Sequence, residues 1–413
     1  MAVSQQVSRA FPLGSRLNER GVLEVGGCDA LELAREFGTP CYVVAEDDLR
    51  ARARAFRAAF SARTNDFDVL FASKAFPCTA VMRVFAEEDL GADVASAGEL
   101  SLALAAGFEP ERIVFHGNAK SEAELRLALD SGVGLVVIDN LDELERLERL
   151  ADGRRQRVLL RVTPDVRGDT HAAISTGQAD SKFGFGMDAA RAAIDRLGGS
   201  DALELVGLHA HIGSQILELE PFRRAVAAIR TLGDFPILNL GGGLGVTYTD
   251  EEPPRIEDYV AAKVDAAGAG VRVLDEPGRA LTANSAVTLY TVESVKRNVS
   301  RWVAVDGGMS DNLRPMLYGS RYEAHVVDRF GGATLCHLTG KHCESGDVIV
   351  RDAMLDDPRQ GDVVVTPATG AYGHAMANNY NGVPRPPVVF AKDGEARVVV
   401  RRETLEDLRA RDV

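Results

Sequence analysis

The sequence predicts an α/β protein: a (β/α)8 TIM-type barrel followed by a C-terminal antiparallel β domain. Three observations lead there. Short apolar segments alternate with amphipathic stretches eight times between residues 67 and 278. Polar residues able to do chemistry cluster at the C-terminal ends of those segments, where barrels place their reactive groups. Beyond about residue 285 the pattern becomes an alternation of apolar and polar residues between turns, the period of half-buried strands.

The eight strand candidates are FDVLFAS (67–73), ADVAS (92–96), RIVFHG (112–117), GLVVID (134–139), RVLLRV (157–162), LVGLHAHIG (205–213), ILNLGGG (237–243) and RVLDEPG (272–278). They are short, β-branched and bounded by Gly, Pro or Asp, as buried parallel strands are. Helix-like stretches such as SAGELSLALAAG and SEAELRLALDSG separate them. A doubly wound parallel sheet is the alternative this pattern leaves open. In the later region, AVTLYTVESVKR, RWVAVDGG, TLCHLTG, DVIVRDAML, DVVVTPATG and PPVVFAKDGEARVVVRRE read as strands of a sheet. Residues 46–284 are therefore assigned to the barrel, and residues 285–413 to the β domain. Residues 1–45, which end in the strand-like CYVVA, are assigned to the β domain as well.

Composition removes several function classes. Apolar residues make up 46% of the 413, enough for a large core. The net charge of -14 argues against a nucleic-acid partner, because phosphate binding needs a basic surface. The opening MAVSQQVSRAF lacks the apolar run of a signal peptide, and no window reaches the roughly 18 apolar residues of a membrane helix. No membrane association is expected, and the expected location is cytoplasmic. The five cysteines, Cys28, Cys41, Cys78, Cys336 and Cys343, are odd in number and widely spaced. Neither a disulfide framework nor a metal site is expected from them.

The strand ends carry the chemistry. Lys74 directly follows the first strand in a chain with only seven lysines. Such a lysine either reaches solvent or is desolvated enough to act as a Schiff-base amine. Asp93 and Ser96 lie in the second strand, His116 and Asn118 close the third, and Arg161 is near the end of the fifth. His209, His211 and Ser214 finish the sixth; the histidine beside the glycine turn of HAHIGS is either a core residue or a ring stacked on a cofactor. Gly241, Gly242 and Gly243 end the seventh, leaving backbone N–H groups unblocked by side chains, as in a phosphate-binding turn. The dinucleotide spacing G-x-G-x-x-G fails at Val246, and no G-K-[ST] follows. In EPGR, Glu276 either pairs with Arg279 or faces a pyridine nitrogen and keeps it protonated. Outside the barrel, KHCESGD groups Cys343, Glu344 and Asp347, and ATGAYGHAM sets Tyr372 in a glycine turn.

The segments FASKAF, ADVASAGEL, ISTG…SKFGF, HAHIGSQI, LGGGLGV, EPGRA, DGGMSDNLRPMLYG, GKHCESGD and GAYG occur here in that order. In this the chain resembles the diaminopimelate decarboxylases from about residue 40 to residue 405. The forms KAF, FHGNAKS, VDGGMSDN and GKHCESGD, with 40 Arg against 7 Lys, resemble the branch found in high-GC Gram-positive bacteria. Single motifs are shared with ornithine and arginine decarboxylases. CESGD together with HIGSQ and ISTG…KFG is specific to the diaminopimelate branch.

The resemblance implies a fold-type III enzyme, with an alanine-racemase-type barrel and a β domain. It implies pyridoxal 5'-phosphate as cofactor, meso-diaminopimelate as substrate, and a homodimer with shared active sites. By resemblance, Lys74 carries the cofactor, Asp93 lies beside it, His211 stacks on the ring and Glu276 pairs with the ring nitrogen. Ser214, Gly241, Gly242, Gly243, Gly278, Arg279 and Tyr372 would hold the phosphate or its surroundings. Arg279, Arg314, Tyr318, Glu344 and Tyr372 resemble the substrate-binding set. Cys343 resembles a residue that reaches the partner's site and helps protonate the product. The chain departs from the family at Ser73 (usually Val), Phe76 (usually Asn) and His374 in GHAM. A non-catalytic carrier of the cofactor is a competing reading, though such carriers lack the β domain and CESGD. A decarboxylase for D-ornithine, D-lysine or a carrier-bound glutamyl group is another.

Overall fold

The computed structural model describes residues 7–166 and 181–413. The ISTG segment at 174–177 lies outside the described residues. The chain forms two compact units. One comprises Arg50–Gly245 and Glu252–Ala280; the other comprises Met1–Leu49, Val246–Glu251 and Leu281–Val413.

The first unit is built on eight parallel strands. They are β1 (Phe67–Ala72), β2 (Gly91–Val94), β3 (Ile113–Phe115), β4 (Leu135–Ile138), β5 (Gln156–Thr163), β6 (Leu203–His209), β7 (Ile237–Asn239) and β8 (Arg272–Asp275). Each pairs with the next, β8 pairs with β1, and β4 pairs with β5, so the sheet closes on itself. Closure rules out the doubly wound alternative, which keeps two free edges. Leu70, Val114, Val137, Leu159, Val206, Ile237 and Leu274, one from each of seven strands, pack inside as an apolar layer. Such an apolar layer packs a barrel core, so the reactive groups are placed toward the strand ends.

Most strands stop earlier than their apolar runs suggested. Ser96 is not in β2: it caps the helix Ala97–Ala106, its Oγ accepting from Glu99 N–H at 3.2 Å. His116, His211, Gly241 and Glu276 likewise lie just past their strands. Gly117, Gly213 and Gly241 have positive φ (122°, 143° and 57°) and turn the chain out of the ladder.

The second unit carries a mixed sheet. Its order is Val348–Leu355, Thr334–Thr339, Arg301–Val305, Ala286–Arg297, Cys41–Ala45, Val388–Lys392, Glu395–Val400, with Val363–Pro367 also paired to Ala286–Arg297. Antiparallel pairing was expected throughout, but two pairs are parallel: Arg301–Val305 with Thr334–Thr339, and Cys41–Ala45 with Val388–Lys392. Parallel neighbours need long connections, and residues 306–333 supply the first of them. Phe11, Leu23, Val43, Val287, Leu289, Val365 and Val389 are buried together as its core. Among the described residues, no helix is long and apolar enough to cross a membrane.

Candidate active site

β1 ends at Ala72, and Ser73–Ala75 form one 3-10 turn. Buried Ser73 and Phe76, two of the departures from the family pattern, flank Lys74. The Lys74 side chain is 49% exposed, and its Nζ lies 3.9 Å from Asp93 Oδ2 on β2. Burial pushes the Asp93 carboxyl up, against the pull of His116 and Lys74. The main chain ties β1 to the EPGR turn, since Ala72 N–H donates to Pro277 C=O at 3.2 Å.

Glu276, buried at the end of β8, has the densest set of partners. Asn239 Nδ2 donates to Oε1 at 2.6 Å. His116 Nε2 lies 2.7 Å from Oε1, and His209 Nε2 lies 3.3 Å from Oε2. Burial pushes the carboxyl up, but these partners outweigh it and hold Glu276 well below the usual carboxylate range. His209 is pulled down to about 3, chiefly by burial, so its neutral ring meets the carboxylate. The result is an ionised, oriented carboxylate in a dry setting. Arg279, which sequence alone allowed as its ion-pair partner, turns instead to Ser214 Oγ through Nε and Nη2 at 3.1 and 2.9 Å.

The loop after β7 must be glycine for reasons of space. A Cβ on Gly241 would fall 2.7 Å from Ala210 O, one on Gly242 2.2 Å from Glu276 O, and one on Gly243 2.7 Å from Gly213 O. The loop is thus pressed between the turns that carry His211 and Glu276. Gly242 N–H donates to His211 Nδ1 at 3.2 Å. Desolvation pulls His211 well below its ordinary value, helped by Lys74 and Arg161. Gly278 is packed less tightly, its missing Cβ 3.1 Å from the Cβ atoms of Ala72 and Ala75. Buried Arg161 lies 3.7 Å from Asp139 and stacks over Phe183 at 4.3 Å.

The remaining sequence-predicted residues belong to the second unit. Arg314 is buried, donates to Tyr322 Oη at 2.6 Å and lies 4.7 Å over the Tyr248 ring. Tyr318 ends the same short helix, Arg314–Tyr318. Tyr372 has a left-handed φ of 62°, a conformation that costs a non-glycine residue and concentrates at functional sites. Cys343 is exposed, on the hairpin between Thr334–Thr339 and Val348–Leu355. Glu344, also exposed, accepts from Gly346 N–H at 3.3 Å. Asp347, grouped with them by sequence, is buried and anchors the hairpin. It accepts from Met309 N–H at 2.8 Å and His342 N–H at 3.0 Å, and pairs with His342 Nδ1 at 2.7 Å.

Beneath this hairpin Asp311 accepts from Gly308 N–H at 2.7 Å and from Tyr290 Oη at 2.5 Å. Burial pushes its carboxyl up to about 7. The folded state therefore favours the protonated form. The stability this adds is present below the unfolded value of about 3.9 and is lost as pH rises through about 7. Asp311→Asn is expected to flatten the decline of the unfolding midpoint across that window. An unchanged slope would assign the decline to another group.

Sequence reasoning noticed His116 and His209 as strand-end residues but gave neither a role, and it passed over Asn239. Only folding shows that three strands converge on Glu276. His116, His209 and Glu276 place ligand-type atoms within 4.8 Å of one another, and the approach of both rings to one carboxylate accounts for that closeness.

A lysine, an oriented carboxylate, a histidine and a tight glycine turn at the mouth of a closed parallel barrel define a pyridoxal-phosphate enzyme. Residues 46–283 match the family model described as the pyridoxal-binding domain of pyridoxal-dependent decarboxylases. The diaminopimelate decarboxylase of Actinosynnema pretiosum subsp. auranticum is 50% identical over 98% of this chain and 95% of its own. That of Bacillus subtilis is 46% identical over 95% and 96%. A solved diaminopimelate decarboxylase from M. jannaschii, in co-complex with L-lysine, superposes with a TM-score of 0.91 at 32% identity, covering 97% of each chain. The chain belongs to the diaminopimelate decarboxylase family, and its cofactor is pyridoxal 5'-phosphate.

Proposed function

We propose that the protein converts meso-2,6-diaminopimelate to L-lysine and carbon dioxide, the last step of lysine biosynthesis, as a cytoplasmic homodimer with shared active sites. The observation that carries this reading is the set of Lys74, Asp93 and Glu276 at the ends of β1, β2 and β8, in a chain of this family. The site fits the cofactor in its donors and its shape. Gly241, Gly242 and Gly243 pack against the Ala210, Glu276 and Gly213 carbonyls, where no Cβ fits, so the turn keeps the side-chain-free backbone that a phosphate-binding loop needs, and the ionised Glu276 suits a ring nitrogen that must stay protonated. When bound, pyridoxal 5'-phosphate supplies the electron sink for the pair left as the carboxylate departs.

The chain's own residues do the rest. Lys74 Nζ is the attachment amine, held near the Asp93 carboxyl. Glu276 holds a proton at the ring nitrogen and is itself kept in place by Asn239, His116 and His209. His211 would cover one face of the cofactor ring. Ser214, Gly241, Gly242, Gly243, Gly278, Arg279 and Tyr372 would hold the phosphate and its surroundings. Arg279, Arg314, Tyr318 and Tyr372 receive substrate carboxylate, and Glu344 the distal ammonium, since such charge-assisted bonds fix orientation as well as affinity. Cys343 delivers the proton that replaces the lost carboxylate.

The test is carbon dioxide release from meso-diaminopimelate measured beside D-ornithine, D-lysine and a carrier-bound glutamyl substrate. Turnover that favours any of the other three overturns the substrate assignment. Glu276→Gln should lower kcat roughly 100-fold, the scale of removing one preorganised electrostatic group, while cofactor occupancy changes little. Equal losses in both would make Glu276 a binding residue rather than an electronic one.

A further inference from the structure

Behind the glycine turn lies a buried cation that the proposed chemistry does not use. Lys263, on the helix Ile256–Ala267, is 1% exposed. Its Nζ donates to Gly241 O at 2.9 Å, to Asp275 Oδ1 and to Tyr259 Oη. Tyr259 Oη in turn donates to Asp275 Oδ1 at 2.9 Å, which leaves its oxygen able to accept. Three acceptors match the three N–H bonds of an ammonium, whereas a neutral amine has two. Asp275 is the last residue of β8 and directly precedes Glu276, and Gly241 is the second residue past β7. All three donors are therefore directed at the two strand ends that carry the site, or at the tyrosine bridging to one of them.

The Gly241 carbonyl also accepts Glu276 N–H at 3.0 Å. It thus takes two bonds. Gly241 C=O and Gly242 N–H belong to one peptide group, so polarising the carbonyl strengthens the N–H as a donor. That N–H points at His211 Nδ1, 3.2 Å away. A ring nitrogen that accepts carries no proton, so the neutral ring must carry its proton on Nε2.

We propose that Lys263 is a positioning residue which, through the Gly241–Gly242 peptide, fixes His211 as the neutral Nε2-protonated tautomer. The proposal deepens the reading of His211 as the residue covering the cofactor ring. Among the described residues, the charged and titratable groups that weigh on His211 include Lys74, Arg161, His209 and Glu276. Two neighbouring cations, Lys74 and Arg161, oppose a further charge on the ring, and Glu276 favours one. The peptide N–H decides which nitrogen is left bare. A buried ion pair that served stability alone would have no reason to govern a tautomer in the turn after β6.

The experiment is nitrogen NMR of the holoenzyme labelled with 15N-histidine, the His211 signals assigned by their loss in His211→Gln. In the wild type, His211 should show an unprotonated Nδ1 and a protonated Nε2 that do not titrate across the neutral range. In Lys263→Met/Asp275→Asn, which removes both charges together, the Nδ1 signal should broaden or shift toward the other tautomer. kcat should fall about fivefold, the effect of one lost hydrogen bond, with KM unchanged. A wild-type His211 protonated on Nδ1 overturns the proposal even if the double variant fails to fold. So does a folded double variant with unaltered His211 signals and pH profile. The underlying reading fails separately: His211→Gln would leave the cofactor's absorbance and affinity as in the wild type.

Discussion

Lys74→Ala is expected to give a colourless protein with no measurable turnover, a loss of about 10⁴-fold or more by analogy with removal of a catalytic nucleophile. Borohydride treatment should no longer fix the cofactor to the chain. The substitution is structurally mild. Lys74 sits on a one-turn 3-10 segment and is half exposed, so alanine empties no core and gives up only the 3.9 Å approach to Asp93. The loss would therefore be chemical, and an unfolding midpoint equal to that of the cofactor-free wild type should accompany it. The other lysines near the barrel core are already committed. Lys120 lies 2.8 Å from Glu143, and Lys263 is tied to Asp275. Neither is open to a cofactor aldehyde. Peptide mapping of the reduced wild-type protein should find the label on Lys74. A reducible lysine adduct that persists in the variant would overturn the assignment.

What the sequence revealed, and what it hid, follows from how far apart the interacting residues lie. The barrel was legible because each strand carries its own signal: a short β-branched run, then a turn. Lys74, the glycine turn and Glu276 were legible because each follows its own strand. Their partners were not. Glu276 is held by Asn239, His209 and His116, respectively 37, 67 and 160 residues away in sequence, and no local pattern announces such a meeting. EPGR suggested a local pair between Glu276 and Arg279, yet Arg279 finds Ser214 instead, 65 residues away. Composition misled at KHCESGD, where Asp347 resembled a third reactive group. It is the anchor of the hairpin, and Gly308 and Gly340 are glycines because a Cβ on either would lie 2.5 or 2.1 Å from its carboxylate. The parallel pairs of the second sheet were hidden for a related reason. An alternating strand shows which of its faces is buried but not the direction of its neighbour.

A Lys74→Ala protein and a Cys343→Ala protein should each be nearly inactive alone, yet recover about one quarter of wild-type activity when mixed and allowed to exchange subunits. The motive is the division of the site residues. Lys74, His211 and Glu276 lie in the barrel unit, while Cys343 and Glu344 lie on an exposed hairpin of the other unit. That hairpin is fixed from below by Asp347, and Cys343 N–H donates to Asn381 Oδ1 at 2.8 Å. An exposed thiol on a hairpin whose backbone is anchored is suited to serve a second copy of the chain. If each site takes its lysine from one subunit and its cysteine from the other, a mixed dimer has one site with both defects and one with neither. Equal mixing makes about half of the dimers mixed, and half of their sites are intact, which gives the quarter. If lysine and cysteine instead come from the same chain, every site in every dimer carries one defect. Carbon dioxide release then stays at the level of the separate variants, and that result, with exchange verified by differently tagged subunits, would rule out the shared site.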